Sequence, residues 1–310
     1  MTPKEGLSVT PGKIQELIKV EGTHVKMPMT IVTGTEPGPT VLVTAGIHGS
    51  EFPGILALIE ILRDLSPEDI KGRLIAFHPV NSQAFRTRVS MILPEDGVNL
   101  NRVFPGRPDG TPSERTAWRI TEFQDLADFH LDLHSGDLYE ELNSFVYYSV
   151  LGDEAVTLAS VKAAQVLDVP YLVRSSSKVG TIGSAALRGT PGLLVERGGA
   201  GNCRRDDVEL YKKDVINVLK HLGLIDGAPE LPPQPPVELA GEVTYLESQY
   251  NGLWVSEVVA GQKVAAGQKL GQVVDFFGKV VEVYEAGHDG LVLYRLNTLS
   301  TNAGDILVAY

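Results

Sequence analysis

Short apolar runs alternate with amphipathic segments along residues 41–222 of this chain. The run VLVTAG at 41–46 is rich in β-branched residues and ends in glycine, which predicts a buried strand. Ser50 can cap the helix that follows, and Pro53 fits the first turn of that helix. Further strands are predicted at 74–80, 129–133, 171–173 and 193–196, and further helices at 113–126, 153–167 and 206–222. Such alternation predicts an α/β fold, with a mostly parallel (mixed) sheet flanked by helices.

The composition changes sharply at residues 225–236. This stretch, IDGAPELPPQPP, contains five prolines and predicts a stiff, extended linker. Beyond it, the half-repeat VAGQKVAAGQKLGQ at 259–272 predicts short strands joined by glycine turns. We therefore predict an α/β domain over 1–227, a linker over 228–236, and a small all-β domain, a sandwich or barrel, over 237–310.

Charge and cysteine usage limit the classes of partner. The formal net charge of −12 argues against general nucleic-acid binding, which needs a basic surface. The single cysteine fits a reducing compartment, and the N-terminal MTPKEGLSVTPGK lacks the apolar core of a secretory signal. The most apolar run, 54–62, is too short to span a bilayer. We predict a cytoplasmic protein that binds neither nucleic acid nor membrane. Glycine-rich strand edges in the β domain would benefit from a partner, which makes a homo-oligomer a further hypothesis.

Three short motifs carry most of the candidate chemistry: HGSE at 48–51, NLNR at 99–102 and DLHSG at 132–136. The first and third supply His48, Glu51 and His134. Two imidazoles and a carboxylate are a set that binds catalytic zinc with one coordination position left open. Both motifs follow predicted strands, and open α/β folds place their sites at the carboxyl ends of strands. The sequence therefore predicts one zinc ion per chain, bound by these three residues.

Neighbouring polar residues leave some alternatives open. Asp132 shares a strand face with His134, so it either orients that ligand or is a partly buried carboxylate satisfied by backbone groups. His130 and His78 have no evident partners for metal binding. We predict that both are ordinary histidines of the core or the sheet edge.

Asn101 and Arg102 in the second motif are suited to gripping a carboxylate by paired hydrogen bonds. Arg102 could instead pair with Asp96 or Glu95 on a surface loop, where such pairs contribute little. The negative net charge would repel an anionic substrate, so a local cation is needed to bind one. Together with the metal set, this pair predicts a metal-dependent hydrolase that acts on a small anionic molecule.

Four stretches, GIHGSEFPG, DGVNLNRVFPG, DLHSG and VERGG, resemble in order and spacing the motifs of the succinylglutamate desuccinylase/aspartoacylase family. The resemblance covers about residues 38–223, and the C-terminal half-repeat is similar to the β domain of bacterial members. It implies a carboxypeptidase-like catalytic domain. It also implies a zinc deacylase that cleaves the N-acyl amide bond of a small N-acyl amino acid or related N-acyl amine.

The resemblance also implies residue roles by motif position, beginning with zinc binding by the His48, Glu51 and His134 set. Glu196, in VERGG, matches the general base that activates water and then protonates the leaving amine. An ion pair between Glu196 and Arg197 is the alternative, but adjacent strand residues point to opposite faces. Asn101 and Arg102 match the clamp for the substrate carboxylate.

The chain departs from the family pattern at two places. The family has an arginine that polarises the scissile carbonyl, and the segment FRTRVSMILPEDG differs in length there, so Arg88 or Arg86 could fill that role. We assign it to Arg88. Arg197 stands where an apolar residue is usual, and its role stays open between sheet packing, an interface and specificity. The stretch GTIGSAALRG at 180–189 is predicted to be a loop that lines the pocket, with Arg188 as a second anchor.

Two other functions compete with the deacylase. A zinc carboxypeptidase acting on peptides would share the ligands and the general base, and only the shape of the substrate separates it. A non-catalytic metal-binding or carrier module is the other alternative, because the half-repeat resembles lipoyl-like β sandwiches. Such carriers need a modifiable lysine at a tight turn, and Lys263, Lys269 and Lys279 lack that setting.

Overall fold

A computed structural model describes residues 10–310 of the chain. The first nine residues, which belong to the stretch predicted to lack a secretory signal, lie outside the described residues. The strands are β1 (Gly12–Lys19), β2 (Lys26–Thr33), β3 (Glu36–Ala45), β4 (Lys71–Phe77), β5 (Ile92–Leu93), β6 (Val98–Asn99), β7 (Phe129–His134), β8 (Glu140–Leu142), β9 (Phe145–Ser149), β10 (Tyr171–Ser175), β11 (Gly192–Glu196), β12 (Val237–Glu238), β13 (Tyr245–Glu247), β14 (Gly252–Ser256), β15 (Lys263–Val264), β16 (Lys269–Val274), β17 (Val280–Glu285), β18 (Gly290–Leu291), β19 (Tyr294–Leu296), β20 (Ser300–Thr301) and β21 (Ile306–Ala309). The α-helices are α1 (Phe52–Asp64), α2 (Ser82–Thr87), α3 (Pro112–Gln124), α4 (Glu154–Ala164), α5 (Thr181–Leu187) and α6 (Arg205–His221).

Nine strands form one central sheet in the order β1-β2-β4-β3-β7-β11-β9-β10-β12. The middle of the sheet, β4-β3-β7-β11, is parallel throughout, and so is β9-β10-β12. The β1–β2, β2–β4 and β11–β9 pairs are antiparallel. The sheet is therefore mixed and mostly parallel with helices around it, and the predicted fold class is confirmed.

Helices cover both faces of the sheet, which explains why its middle strands are largely buried on both sides. On one face, α1 and α6 pack together over Val43 and Leu133. On the other face, α3 places Ile120 and Phe123 in a second cluster with Leu42 of β3. Every residue of β7 is buried as a result. None of the helices within residues 10–310 is long and apolar enough to cross a membrane.

Two local predictions are wrong. Ser50 is not the cap of α1: Glu51 occupies the N-cap position without a side-chain cap hydrogen bond, and Ser50 Oγ has no hydrogen-bond partner within residues 10–310. Pro53 lies in the first turn, as predicted. The stretch 180–189 is not a loop, because α5 occupies most of it. Small residues such as Gly183 allow that helix to pack closely, with backbone of Ser177 against it.

The C-terminal strands form two four-stranded sheets, β13-β21-β19-β8 and β17-β16-β14-β20, and the β15–β18 pair. Strands β13 to β21 are called the C-terminal β unit below. Its core includes Trp254, Leu270, Val273 and Leu307, all buried. Glycines at positive φ, such as Gly261 and Gly267 in the half-repeat, make the tight turns that the sequence predicts.

Strand pairing crosses the predicted linker twice. β8, from the first half of the chain, is an edge strand of the C-terminal β unit and pairs with β19 through Leu142–Tyr294 and Glu140–Leu296. β12, which directly follows the linker, pairs instead with β10 of the central sheet. The division into domains at 1–227, 228–236 and 237–310 stays a prediction. These two pairings show that strands from the first and the second part of the chain pair with each other near the edge of the central sheet where β7 ends.

Candidate active site

His48, Glu51 and His134 come together at the carboxyl edge of the central sheet. His48 follows the end of β3, Glu51 takes the N-cap position of α1, and His134 is the last residue of β7. One ligand atom from each lies within 4.8 Å of the others. Glu51 Oε1 is 2.7 Å from His48 Nδ1, and Glu51 Oε2 is 3.0 Å from His134 Nδ1. The structure therefore gathers the three predicted ligands around one point, toward which both imidazoles present Nδ1. This point, where a metal ion could bind, is called the metal point below.

Glu196 lies beside this cluster because of the sheet register. It ends β11 and pairs directly with His134 of β7. In-register neighbours on parallel strands point to the same face of the sheet, so Glu196 faces the metal-ligand set and Arg197 faces away. Glu196 Oε2 is buried and has no hydrogen-bond partner in the described part of the chain. Glu196 also lines a cavity that opens over the three candidate ligands and is described below. A buried, unpaired carboxylate oxygen in such a wall is free to accept a proton from water or substrate.

The pKa values of the two carboxyl groups, Glu196 and Glu51, are shifted in opposite directions. Burial raises the pKa of Glu196 well above its usual range; His134 opposes this shift, and Glu51 and Glu140 add to it. Burial also acts to raise the pKa of Glu51, but His134 and His48 outweigh it and bring that pKa to about 2. Glu51 is therefore held ionised, which is the state that metal binding requires, and Glu196 is biased toward taking up a proton.

Asp132 orients His134. The His134 Nε2–H donates to Asp132 Oδ2 at 2.9 Å, which leaves Nδ1 free to face the metal point. The hydroxyls of Thr44 and Thr181 donate to the same carboxylate at 2.6 and 2.5 Å. Of the two alternatives left open by the sequence, the structure favours an acceptor that fixes the ring and tautomer of a ligand histidine.

His130 and His78 lie outside the metal set, as predicted. Because Thr44 donates its hydroxyl hydrogen to a carboxylate, His130 Nε2 must donate to Thr44 Oγ1, at 2.7 Å, and its Nδ1 accepts from Gln124 Nε2 at 3.1 Å. Burial lowers the pKa of His130 to about 4 and so keeps it neutral. His78 Nε2 is 2.9 Å from Thr30 Oγ1 at the sheet.

The NLNR motif contributes an orienting residue that the sequence did not single out. Asn99 Oδ1 accepts from His48 Nε2 at 3.0 Å and from the Asn101 backbone N–H at 2.9 Å. Asn101 is buried, and its Oδ1 accepts the Thr181 N–H at the start of α5. Arg102 lines the cavity and donates to the Asn101 carbonyl at 3.0 Å. The structure therefore links the motif to the metal point through Asn99 and leaves the Arg102 guanidinium at the cavity wall.

The alternative partners of Arg102 are engaged elsewhere. Asp96 accepts from the Ser113 hydroxyl and backbone N–H. Glu95 accepts from the backbone N–H of His24 and from the side chain of Gln83. Arg102 forms no ion pair with either carboxylate in the described residues.

The structure does not bring Arg88 or Arg86 to the metal ligands. Both side chains are exposed, and neither lines the cavity. Arg88 caps the C-terminus of α2 in the left-handed conformation, with φ of 56°, which directs the chain away from that helix. Arg188 is also absent from the cavity wall: it donates to Asp125, Gln124 and Ser184. Among the described residues, Arg102 is the only arginine or lysine that lines the cavity.

Arg197 supports the sheet from the opposite face. It is 3% exposed, and its Nη2 donates to Asp214 Oδ2 at 2.6 Å and to the Asp168 carbonyl at 2.7 Å. Its guanidinium lies 5.6 Å from the ring centroid of Tyr211, whose hydroxyl donates to the carbonyls of His134 and Val195. The basic residue in VERGG therefore serves packing behind the two strand ends that carry the site.

We expect Asp214→Asn to lower the free energy of unfolding by about 3–5 kcal/mol, because it leaves the Arg197 guanidinium buried without a counter-charge. Chemical denaturation measures this loss. The matched control is Asp226→Asn, which removes an exposed partner of Lys71 at 2.9 Å and should cost no more than about 1 kcal/mol. Equal, small losses in the two variants would show that Arg197 does not depend on Asp214.

A cavity of about 1080 Å³ opens above the metal point, and both halves of the chain line it. The first half contributes the ligand set, Glu196 and Arg102, and also Asp137, Glu140 and Tyr147. The C-terminal β unit contributes Tyr245, Glu247, Tyr294 and Asp305. Tyr147 and Tyr245 meet across the seam, with 2.9 Å between their hydroxyl oxygens. The sequence analysis did not predict that Asp137, Glu140, Tyr147 or the residues of the C-terminal β unit line the cavity. Of these, only Asp137 had a local signal, because it lies next to DLHSG.

Comparisons with known proteins identify similar sequences and folds. The family model described as the succinylglutamate desuccinylase/aspartoacylase catalytic domain matches residues 37–222. An N-alpha-acetyl-L-2,4-diaminobutyric acid deacetylase of Halomonas elongata is 32% identical over 291 residues, which cover 91% of this chain and 84% of that protein. A product-bound structure of the ectoine utilization protein EutE (DoeB) from Ruegeria pomeroyi is 30% identical, with a TM-score of 0.87 over 98% of this chain and 97% of that one. A succinylglutamate desuccinylase/aspartoacylase from Rhodobacter sphaeroides is 27% identical, with a TM-score of 0.84 and the same coverage.

Proposed function

The chain belongs to the succinylglutamate desuccinylase/aspartoacylase family, and from this premise we propose that it is a zinc-dependent deacylase. Its reaction is hydrolysis of the N-acyl amide bond of a small N-acyl amino acid or related N-acyl amine. The observation that carries the proposal is the register of β7 and β11, which sets Glu196 beside the His48, Glu51 and His134 set.

The donor set fits zinc. It offers two imidazole nitrogens and one carboxylate, the combination found in catalytic rather than structural zinc sites. Both imidazoles are oriented through their far nitrogens, by Asp132 and by Asn99. Zinc bound by these residues would supply Lewis-acid polarisation of the amide carbonyl and activation of a water molecule.

The chain's own residues supply the proton transfers and the substrate grip. Glu196 takes a proton from the attacking water on its unpaired Oε2 and returns it to the leaving amine nitrogen. Arg102 binds the α-carboxylate of the substrate, and Asn101, fixed by Thr181, sets the position of the loop that carries it. We assign no step to Arg88 or Arg86, because neither side chain lines the cavity.

The C-terminal β unit favours a deacylase over a carboxypeptidase. Its residues Tyr245, Glu247 and Tyr294 form part of the cavity wall and so limit the space over the three candidate metal ligands. Strand pairing between β8 and β19 holds this wall against the first half of the chain. A wall built by both halves of the chain favours a small acylated amino acid over a longer peptide.

We expect the zinc-loaded protein to hydrolyse N-acetyl amino acids with kcat/KM at least about tenfold above that for N-acyl dipeptides of the same terminal residue, a difference of about 1.4 kcal/mol in transition-state binding. N-acetyl-L-2,4-diaminobutyrate is the first substrate to assay, because the Halomonas elongata relative is named for it. Amine release measures the rate. Preference for the dipeptide would favour a carboxypeptidase, and no hydrolysis of either class would refute the proposed activity.

A further inference from the structure

A second pocket, of about 550 Å³, lies between the β1–β2 hairpin and α2. It shares no lining residue with the cavity over the metal point. None of its lining residues is an aspartate or a glutamate, and four of them carry basic side chains: Lys19, His24, Lys26 and Arg86. The formal net charge of the chain is −12, so this concentration of basic side chains is a local feature.

Two of the basic residues face each other across the hairpin. Lys19 of β1 and Lys26 of β2 are directly opposite in the strand register. Opposite side chains of an antiparallel pair share one face of the sheet, with Cβ atoms about 4.5–5.5 Å apart, and like charges in such a pair are destabilising. Lysines do protect exposed sheet edges, and β1 is an edge strand. That role does not explain Lys26, because β2 is paired on both sides, with β1 and with β4.

Arg86 adds a third positive charge from the helix side of the pocket. The Ser82 hydroxyl donates to the Lys26 carbonyl at 2.6 Å, which fixes the first turn of α2 against β2. Arg86 follows four residues later, so it shares that face of the helix. One of the two arginines considered for polarising the scissile carbonyl therefore lines this pocket instead.

The three charges are not neutralised by the protein. Among the described residues, the side chains of Lys19, Lys26 and Arg86 form no hydrogen bond or ion pair, and all three residues are exposed. Glu95 reaches the hairpin turn, but its carboxylate accepts the backbone N–H of His24 at 3.0 Å and does not line the pocket. Because the cations repel one another, an anion bound between them would recover electrostatic free energy.

We propose that this pocket binds a dianionic phosphate group, either as the free ion or as part of a small phosphorylated metabolite. Arg86 donates paired hydrogen bonds to two phosphate oxygens, and the ammonium groups of Lys19 and Lys26 contact the group from the hairpin. The volume is in the range of pockets that hold whole small molecules, and Leu17 and Pro28 give the rest of such a molecule an apolar wall. This inference does not depend on the proposed deacylase function.

Titration calorimetry with inorganic phosphate, on the zinc-loaded protein at low ionic strength and about pH 8, tests the site. We expect one phosphate per chain with a Kd of about 1 mM or tighter. Lys26→Gln and Arg86→Gln should each weaken this binding at least about fivefold. The matched control is Lys263→Gln, at an exposed lysine of β15, which should bind phosphate as the wild type does. Phosphate bound at zinc would appear as a further equivalent that neither pocket variant changes.

Thermal unfolding of Lys19→Gln provides a second readout. The variant loses one member of the opposed lysine pair, so its unfolding temperature without phosphate should be no lower than that of the wild type. Millimolar phosphate should raise the unfolding temperature of the wild type by mass action and that of the variant less. A lower unfolding temperature of Lys19→Gln without phosphate would contradict the repulsion on which the proposal rests.

The source of the phosphate group is distinguished by a parallel titration with adenosine monophosphate. Tighter binding than inorganic phosphate, lost in Arg86→Gln, would assign the pocket to a phosphorylated metabolite, and binding no tighter would assign it to the free ion. Absence of phosphate binding would overturn the proposal. Binding that Lys26→Gln and Arg86→Gln leave at the wild-type strength would overturn it equally, because the anion would then lie elsewhere.

Discussion

Replacing Glu196 with glutamine is expected to lower kcat by about 10²- to 10⁴-fold, the usual contribution of a positioned general base and acid. Glutamine keeps the shape of the side chain but cannot take a proton from water or return it to the leaving nitrogen. The reaction then loses a group whose Oε2 has no other partner in the described residues. Steady-state amine release on an N-acetyl amino acid measures the change.

The same variant should keep its zinc and its fold. Glu196 lies beside His134 in the sheet register but is not a member of the ligand set, so bound zinc should stay at the wild-type level. Glu16→Gln serves as the matched substitution at an exposed site, with wild-type turnover expected. Near-wild-type turnover in the zinc-loaded Glu196→Gln protein would remove Glu196 from the mechanism. Loss of zinc from it would assign Glu196 a ligand role instead.

The edge of the sheet that carries the site was predictable because the ends of the strands follow from local sequence patterns. His134 and Glu196 are the last residues of β7 and β11, and His48 lies three residues after the end of β3, so each polar side chain marks the end of a predicted strand. Adjacent parallel strands end at one edge, and His48, His134 and Glu196 meet because β3, β7 and β11 are neighbours in the sheet. The alternation along β11 also separated Glu196 from Arg197 correctly, and the Asp214 pair explains why a basic residue is tolerated behind the sheet.

The rest of the cavity was not predictable, because long-range pairing creates it. β8 is only three residues long and carries two glutamates, so nothing in its composition indicates that it joins the C-terminal β unit through β19. That pairing is what brings Tyr245 and Glu247 over the metal point. The sequence analysis also did not predict the β1–β2 hairpin. Much of β1 is exposed, so its apolar residues do not form the pattern of a buried strand.

The oxyanion role of Arg88 stays a prediction, and the structure places Arg88 outside the cavity wall. Its assignment came from motif position in a segment of altered length, and a change of loop length moves side chains without a local signal in the sequence. The left-handed cap at Arg88 ends α2 and leaves the guanidinium outside the cavity. Asn99, two residues before a predicted site residue, turned out to orient His48, since a hydrogen bond to a ligand histidine depends on geometry that no spacing rule encodes.

Glu51→Gln is expected to remove most of the bound zinc while the protein stays folded. The amide has the same shape but no charge, and two neutral imidazoles with an amide oxygen bind zinc far more weakly than a set that includes a carboxylate. The low pKa of Glu51, about 2, shows how strongly the two histidines already favour the charged form. Elemental analysis after zinc loading and desalting should give about one zinc per chain for the wild type and well under half of that for the variant.

Two comparisons separate a lost ligand from a lost fold. Glu51 also accepts the Ser135 N–H at 3.1 Å, and a glutamine oxygen can keep that bond, so the metal-free variant should fold, with an unfolding temperature below that of the metal-free wild type because the charge beside His48 and His134 is lost. Zinc should then raise the unfolding temperature of the wild type only, because a ligand that binds the native state alone stabilises it by mass action. Equal zinc retention in wild type and variant would place the metal elsewhere, and the three residues would then be a hydrogen-bonded polar cluster rather than a metal site.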